Sequence, residues 1–140
     1  SEDIDRFAPF SGDQFYAHLK DTAFSGTMFE QQVAHGYFIM SAAAGLFVQS
    51  FVKNPVLLNY GIDELRFTKP VYPESAIYIR FTCKEKIEQE VKEPNPDLPF
   101  VRGQDIPKGI VKWYVEIFDD TDELAGVATI LTMVERKEKQ

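Results

Sequence analysis

The residues best suited to chemistry lie close together near the beginning of the chain. Asp13 and His18 are five residues apart, and the only other histidine, His35, follows seventeen residues later and is joined to Gly36. A carboxylate and an imidazole at this spacing can hold and activate one water molecule. The start of a helix at Gly36 can hold a negative oxygen. This combination suits the addition of water to an activated double bond.

Asp13 and His18 also have a purely structural interpretation. Asp13 could cap a short helix over residues 14–20, and His18 could then be a surface residue. The residues between them, Phe15 and Tyr16, are bulky and apolar, which favours a lined cleft around the pair. The low histidine count of the chain favours the same interpretation.

His35 and Gly36 likewise allow two interpretations. A glycine near a helix start lets a ligand approach the backbone because it has no Cβ, but it could also serve only close packing. His35 could contact the substrate, although a hydrogen-bonded core histidine is the interpretation that we favour for it.

A long buried helix must position these groups. Apolar residues at helical spacing predict a helix over 32–52, stopped by Lys53-Asn54-Pro55. A shorter helix with Asp3 as its cap is predicted to precede it and to end at Pro9 and Ser11-Gly12.

The rest of the chain alternates in the manner of strands. We predict strands over 57–67, 76–86, 109–118 and 124–134, with a hairpin turn at 119–122 and Cys83 as a small buried residue. Residues 92–108 hold four of the eight prolines and are predicted to form a loop, of a length that is more often functional or mobile than idle. The order of the elements indicates one α+β domain over 1–140, with an antiparallel sheet wrapped on one helix.

Composition narrows the class of protein further. The 140 residues carry a formal net charge of −7, which argues against a nucleic-acid-binding face. A single cysteine excludes an intrachain disulfide and fits a cytoplasmic location. We predict neither a membrane span nor a metal site or organic cofactor. An acidic opening that runs directly into a helical pattern is compatible with an excised piece of a longer protein.

Several sequence motifs together carry a resemblance to a known family. They are the pair Asp13 and His18 and the runs Val33-Ala34-His35-Gly36-Tyr37, Asn59-Tyr60-Gly61 and Leu65-Arg66-Phe67-Thr68-Lys69-Pro70-Val71. Over nearly its whole length the chain resembles the MaoC-like hydratases of the hotdog fold. It is most similar to the C-terminal hydratase domains of the bifunctional ring-opening proteins of bacterial phenylacetate degradation.

The resemblance implies roles for the motif residues. Asp13 would act as general base on a water, His18 would orient that water and share its proton, and the Gly36 amide would hold a thioester oxygen. The family signature has Asn-Pro where this chain has Phe15-Tyr16. This departure resembles the phenylacetate subgroup and argues for an oxepin-CoA substrate rather than a simple fatty enoyl-CoA.

The expected ligand is an acyl-CoA thioester. The residues predicted to contact it are Phe15, Tyr16, His35, Tyr37, Arg66 and Lys69. Candidates for binding the anionic CoA tail are Lys53, Arg66, Lys69, Lys84 and Lys86, although each could equally belong to a solvated basic edge. The resemblance also implies a homodimer or higher homo-oligomer, and an aldehyde dehydrogenase domain or protein as a further partner.

Other functions remain open on the sequence. One alternative is a general (R)-specific 2-enoyl-CoA hydratase of fatty acyl or polyester metabolism, and another is a non-catalytic acyl-CoA-binding or assembly domain. A hotdog thioesterase is disfavoured, because such enzymes generally carry an acid on the central helix and residues 36–52 contain none.

Overall fold

The computed structural model of the protein describes residues 1–50, 56–91 and 93–137. Within these residues, two α-helices, one 3₁₀ turn and four strands follow one another. They are α1 (Glu2–Ser11), the 3₁₀ turn (Tyr16–His18), α2 (Gly36–Val48), β1 (Val56–Phe67), β2 (Tyr78–Glu88), β3 (Lys108–Phe118) and β4 (Leu124–Glu135). The strands form one antiparallel sheet in the order β1-β4-β3-β2, which confirms the predicted α+β class.

The chain divides into two compact units. The first contains residues 1–50, 66–80 and 116–127, and the second contains the described residues within 56–65, 81–115 and 128–137. Both helices and every predicted catalytic residue belong to the first unit. No described helix is long and apolar enough to cross a membrane.

Helix α1 begins and ends one or two residues away from the prediction. Its cap position is Ser1 rather than Asp3, and Pro9 lies inside the helix rather than ending it. Gly12 closes the helix with φ 80°, a left-handed conformation that glycine adopts without strain, and its amide bonds to the Ala8 carbonyl at 2.9 Å. The chain therefore turns sharply just before Asp13.

Helix α2 begins at Gly36, four residues later than predicted. The preceding residues are held in an extended path, because the Val33 amide bonds to the Ala17 carbonyl and the Ala34 amide bonds to the Val71 carbonyl, each at 2.8 Å. His35 is the N-cap, and its φ and ψ are extended. These contacts with distant residues override the helical pattern, and they put Gly36 at the helix start. The predicted stop at residues 53–55 lies outside the described residues.

The face of α2 that carries Ile39, Met40, Ala43 and Phe47 is buried, whereas Tyr37 and Val48 are exposed. The prediction that this helix is buried on nearly all sides is therefore wrong for the chain by itself. The first unit also buries Ile4 and Ala8 of α1.

The strand predictions are correct to within two residues, and the hairpin turn at 119–122 is confirmed. In the second unit, Val111 and Val115 are buried on one face of β3, and the Trp113 ring packs edge-on against Phe81 and donates a hydrogen bond to Thr132. Cys83 is exposed, contrary to prediction, because β2 lies at an edge of the sheet.

Between β2 and β3, the described residues of 89–107, here called the proline-rich loop, contain no helix or strand. This agrees with the predicted loop.

Candidate active site

The turn at Gly12 sets the position of Asp13. The Asp13 amide donates a hydrogen bond to the Ser11 hydroxyl oxygen at 3.1 Å. The Asp13 Oδ1 accepts a hydrogen bond from the Phe15 amide at 3.3 Å. The second carboxylate oxygen, Oδ2, faces His18 Nε2 at 4.0 Å. The Asp13 side chain is 43% exposed, so the carboxylate is open to solvent on one side.

His18 lies at the end of the 3₁₀ turn and is nearly buried. Its Nδ1 lies 2.8 Å from the Val33 carbonyl oxygen. A carbonyl only accepts hydrogen bonds, so Nδ1 carries a proton, and in the neutral form of the ring Nε2 presents its lone pair toward Asp13.

Asp13 and His18 thus direct two acceptors at each other. Two acceptors cannot bond directly, and 4.0 Å is too long for a hydrogen bond, but a water that donates one proton to each can span this gap. The geometry suits a water whose oxygen lone pair points away from both groups. Such a water is positioned to attack a carbon.

His35 is fully buried and hydrogen-bonded, which agrees with its interpretation as a core histidine and argues against a contact with substrate. Its Nε2 donates to the Asp13 carbonyl at 2.9 Å, and its ring stacks on His18 with centroids 3.8 Å apart. Burial lowers the pKa of His35, with a smaller contribution from the nearby His18; the bond to the Asp13 carbonyl acts in the opposite direction. Its Nδ1 is buried without a hydrogen-bond partner among the described residues.

Gly36 is the first residue of α2, and the N-cap His35 side chain makes no capping hydrogen bond. The first amides of a helix have no partner inside it, so the Gly36 amide makes no hydrogen bond within α2. A Cβ built on Gly36 would lie 2.3–2.7 Å from ring carbons of Phe67. The absence of a Cβ at Gly36 therefore allows close packing of the Phe67 ring from β1.

His18 and Gly36 line one cavity of about 360 Å³. Most of its wall is apolar, and an apolar cavity with a few polar groups is typical of a small-molecule site. The other described lining residues are Met28, Phe29, Val33, Ala34, Ile39, Phe67, Thr68, Lys69, Pro70, Val71 and Ala125.

Four predicted substrate contacts do not line this cavity in the described part of the chain. Phe15 packs its ring edge-on to His18 at 5.8 Å and is half-exposed, and Tyr16 packs on Phe15. Tyr37 is 68% exposed and lies edge-on to Phe67. Arg66 is exposed on β1. Phe15 therefore contacts the His18 ring but does not line the cavity.

Lys69 does line the cavity, but its ammonium is already engaged. It pairs with Asp119 at 2.6 Å and with Glu123, and these bonds raise the pKa of Lys69. The positive charge of Lys69 is therefore paired with the carboxylates of the β3–β4 hairpin, which makes this residue less suited to binding a phosphate.

The remaining candidates for the CoA tail lie elsewhere. Lys84 and Lys86 are exposed on β2, and Nζ of Lys84 lies 3.7 Å from Oε2 of Glu64. Lys53 lies outside the described residues.

Asp13, His18 and His35 bring three potential metal ligands within 4.8 Å of one another. Each imidazole donates from one ring nitrogen to a backbone carbonyl, which leaves Nε2 of His18 and Nδ1 of His35 as the two remaining ring nitrogens.

Two residues that shape the candidate site were assigned no role from the sequence. Phe67 covers Gly36, and buried Gln32 donates from Nε2 to the His18 carbonyl and to Asp5 Oδ1, both at 2.8 Å. Only the apolar position of Phe67 at the end of a predicted strand hinted at a role.

Comparison with known proteins is consistent with this architecture. The family model of the MaoC like domain matches residues 1–95. Protein MaoC of Klebsiella aerogenes is 46% identical over 97 residues, which are 69% of this chain and 29% of that protein. The chain therefore spans less than a third of the curated relative that it matches.

Two solved structures illustrate the fold. The unliganded (R)-hydratase PhaJ1 of Pseudomonas aeruginosa superimposes with a TM-score of 0.67 at 21% identity, over 97% of this chain and 74% of that chain. RV0216 of Mycobacterium tuberculosis, which has a double hotdog fold, gives a TM-score of 0.69 at 17% identity, over 100% of this chain and 39% of that chain. The chain belongs to the family of MaoC-like domains and has the hotdog fold.

Proposed function

We propose that this domain hydrates a 2-enoyl-CoA thioester. One observation carries the proposal: Asp13 Oδ2 and His18 Nε2 face each other across 4.0 Å, and His18 shares a cavity with the helix start at Gly36. Membership of the MaoC-like family and the fold similarity to an (R)-hydratase support it.

The reaction follows from these positions. The thioester oxygen accepts a hydrogen bond from the Gly36 amide, which draws electron density away from C3. The water held between Asp13 and His18 forms a bond to C3 through its oxygen, and one of its protons passes to Asp13. The C2–C3 π electrons move toward the thioester oxygen as an enolate, which then collects a proton at C2. Acid–base help of this kind contributes about 10²–10⁴ in rate.

The proposed substrate is a seven-membered oxepin-CoA. Water adds to the carbon beside the ring oxygen and forms a hemiacetal, whose C–O ring bond then breaks to leave an aldehyde while the proton returns to the released oxygen. Phe15-Tyr16 in place of the family's Asn-Pro supports this choice. The aldehyde would be consumed by an aldehyde dehydrogenase, and the matched relative is long enough to contain a second domain.

A general (R)-specific enoyl-CoA hydratase is the second candidate, favoured by the fold similarity to PhaJ1. Assay of the chain with crotonyl-CoA and with an oxepin-type CoA ester separates the two candidates by the ratio of their rates.

The proposal also includes a homodimer. In the second unit, β1 lies at the edge of the sheet and carries Leu57, Leu58, Tyr60 and Ile62, each at least 40% exposed. An edge strand with apolar residues on both faces is well suited to pairing with a second copy. A monomer by sedimentation equilibrium would contradict this part.

The catalytic assignment is tested with Asp13→Asn and His18→Ala, by following the loss of the enoyl-thioester absorbance. We expect kcat to fall by about 10²–10⁴ in each variant. A thiol reagent in the same assay detects free CoA, which a thioesterase would release. Turnover unchanged in both variants, or release of CoA at the rate of substrate loss, would reject the hydratase. Binding of the CoA ester without turnover by the unmodified protein would favour the non-catalytic domain.

A further inference from the structure

We propose that His35 is a positioning residue that holds Asp13, His18 and Gly36 in register without touching the substrate. The inference rests on the proposed hydratase function and adds a residue that the reaction itself does not use.

His35 contacts each catalytic group by a different route. Its Nε2 donates to the backbone carbonyl of Asp13 at 2.9 Å, and its ring stacks on His18 at 3.8 Å with the planes 24° apart. Gly36 is its neighbour in the chain, and His35 supplies the N-cap of α2 through its own backbone. The Ile39 amide bonds to the His35 carbonyl at 3.1 Å, so the helix start is fixed to the same residue.

Asp13 depends on this contact more than the other groups do. Its side chain is 43% exposed and accepts only one described intramolecular hydrogen bond, from the Phe15 amide at 3.3 Å. The carboxylate is therefore located mainly by its backbone, and the buried imidazole of His35 anchors that backbone across 22 residues of sequence. His18 has a separate anchor in the Val33 carbonyl, and stacking on His35 fixes the plane of its ring.

Packing alone does not explain a histidine at this position. The ring is fully buried against Phe7 at 4.8 Å, in a setting where phenylalanine would fill the space without a polar atom. The histidine instead leaves its Nδ1 buried and without a described partner, which is unfavourable. What the histidine provides, and phenylalanine cannot, is the Nε2 donor to Asp13.

The ring is suited to do this as a neutral group. Burial lowers the pKa of His35, so the ring stays uncharged beside His18 near neutral pH, while the carbonyl of Asp13 keeps the proton on Nε2. A fixed tautomer gives a fixed donor.

Two variants separate the donor from the ring. His35→Phe keeps an aromatic ring that can stack on His18 but removes the donor, whereas His35→Gln removes the ring but places an amide donor near the position of Nε2. Val115→Ala is the matched control, because Val115 is fully buried in the second unit and its truncation reports the effect of destabilisation alone.

We expect His35→Phe to lower kcat about 10²-fold with KM changed less than about threefold, since a misplacement of roughly 1 Å costs this much. We expect His35→Gln to recover at least about tenfold of that loss, and Val115→Ala to leave the kcat of its folded fraction unchanged. Thermal melts give the folded fraction of each variant. A kcat for folded His35→Phe within threefold of the unmodified protein, or no recovery in folded His35→Gln, would overturn the proposal.

Crystal structures of the unmodified protein and the two variants give a readout that does not need turnover. We expect the Asp13 carboxylate to move by about 1 Å or more in His35→Phe and to return in His35→Gln. An unmoved carboxylate in His35→Phe overturns the positioning role even if no enoyl-CoA is hydrated. Absence of hydration by the unmodified protein, with the carboxylate displaced in His35→Phe, overturns only the proposed function.

Discussion

Two irregular segments of this chain are built in opposite ways. In the site segment (residues 12–36) hydrogen bonds join positions far apart in sequence, as in His18 to Val33, Gln32 to His18 and His35 to Asp13. In the proline-rich loop the internal bonds are local, as in the Asx turn at Asn95 and the pair Val101 and Gln104. Neither helix nor sheet fixes most of the backbone of the site segment. Hydrogen bonds from polar side chains to distant backbone carbonyls hold it in place instead.

Cavity size alone would favour the proline-rich loop over the candidate site. The proline-rich loop borders a cavity of about 710 Å³, nearly twice the volume of the one at His18 and Gly36. The larger cavity is lined by groups such as Glu90, Glu93 and Asn95, with no described histidine or helix start among them. Converging groups of complementary chemistry, rather than volume, identify the site.

Gly36→Ala should damage the site segment most. The new Cβ would meet the Phe67 ring. In the proposed reaction it would also crowd the substrate carbonyl at the Gly36 amide, so we expect kcat to fall by about 10²–10³. Phe67→Leu is the matched control for the steric part. We expect Gly36→Ala/Phe67→Leu to regain thermal stability but not kcat. Recovery of kcat in the double variant would show that Gly36 serves only close packing.

Gln32→Leu should have a smaller effect on activity and a clear effect on stability. It leaves the His18 carbonyl and Asp5 without their donor, so we expect the free energy of unfolding to fall by about 1–3 kcal/mol, and kcat to fall about tenfold as the 3₁₀ turn shifts. Urea unfolding and the absorbance assay measure the two quantities. The adjacent Gln31 is exposed, and Gln31→Leu should change neither. Equal effects of the two substitutions would contradict the proposal that the hydrogen bonds of Gln32 hold the 3₁₀ turn in place.

Asp119→Asn should affect stability in a pH-dependent manner. The Lys69 ammonium and the Thr121 hydroxyl hold the pKa of Asp119 well below its usual range, so its ionised form stabilises the fold above the unfolded pKa of about 4. That contribution is lost as pH falls below this value. We expect the Tm gap between the unmodified protein and the variant to be largest at neutral pH and to shrink below about pH 4. Asp120→Asn, an exposed neighbour, serves as the control; a gap independent of pH would contradict the assignment.

Leu98→Ser should have the smallest effect. Leu98 is 65% exposed in the proline-rich loop, and exposed substitutions of this kind usually change stability by less than about 0.5 kcal/mol. We expect unchanged kcat and unchanged urea midpoint. A loss of activity with the fold intact would restore the functional role that the length of this loop suggested.

The sequence predicted the regular elements well and the site in part. Alternation placed all four strands to within two residues, because each strand has its own period of two. The spacing of Asp13 and His18 left a structural interpretation open, and the bulky residues between them and the low histidine count favoured a functional pair. The structure brings Asp13 Oδ2 to 4.0 Å from Nε2 of His18, which ends the 3₁₀ turn.

What the sequence missed depends on contacts between distant residues. The apolar pattern favoured a helix from Gln32, but bonds to Ala17 and Val71 hold the backbone extended until His35. The ring of Phe67 over Gly36 joins positions 31 residues apart, and no local pattern indicates it. The charge of Lys69 suggested a ligand contact, but its partners Asp119 and Glu123 lie some fifty residues further along the chain.

The order of the chain has a consequence for how the protein comes to be folded during synthesis. The three proposed catalytic residues all precede residue 37, but the carbonyl that accepts from the Ala34 amide belongs to Val71, and the ring that packs on Gly36 belongs to Phe67. A nascent chain that ends before Val71 therefore contains all the proposed catalytic residues but lacks these two contacts that arrange them. We expect the candidate site to form only after β1 and the residues up to Val71 have been synthesised, and not with α1 and α2 alone.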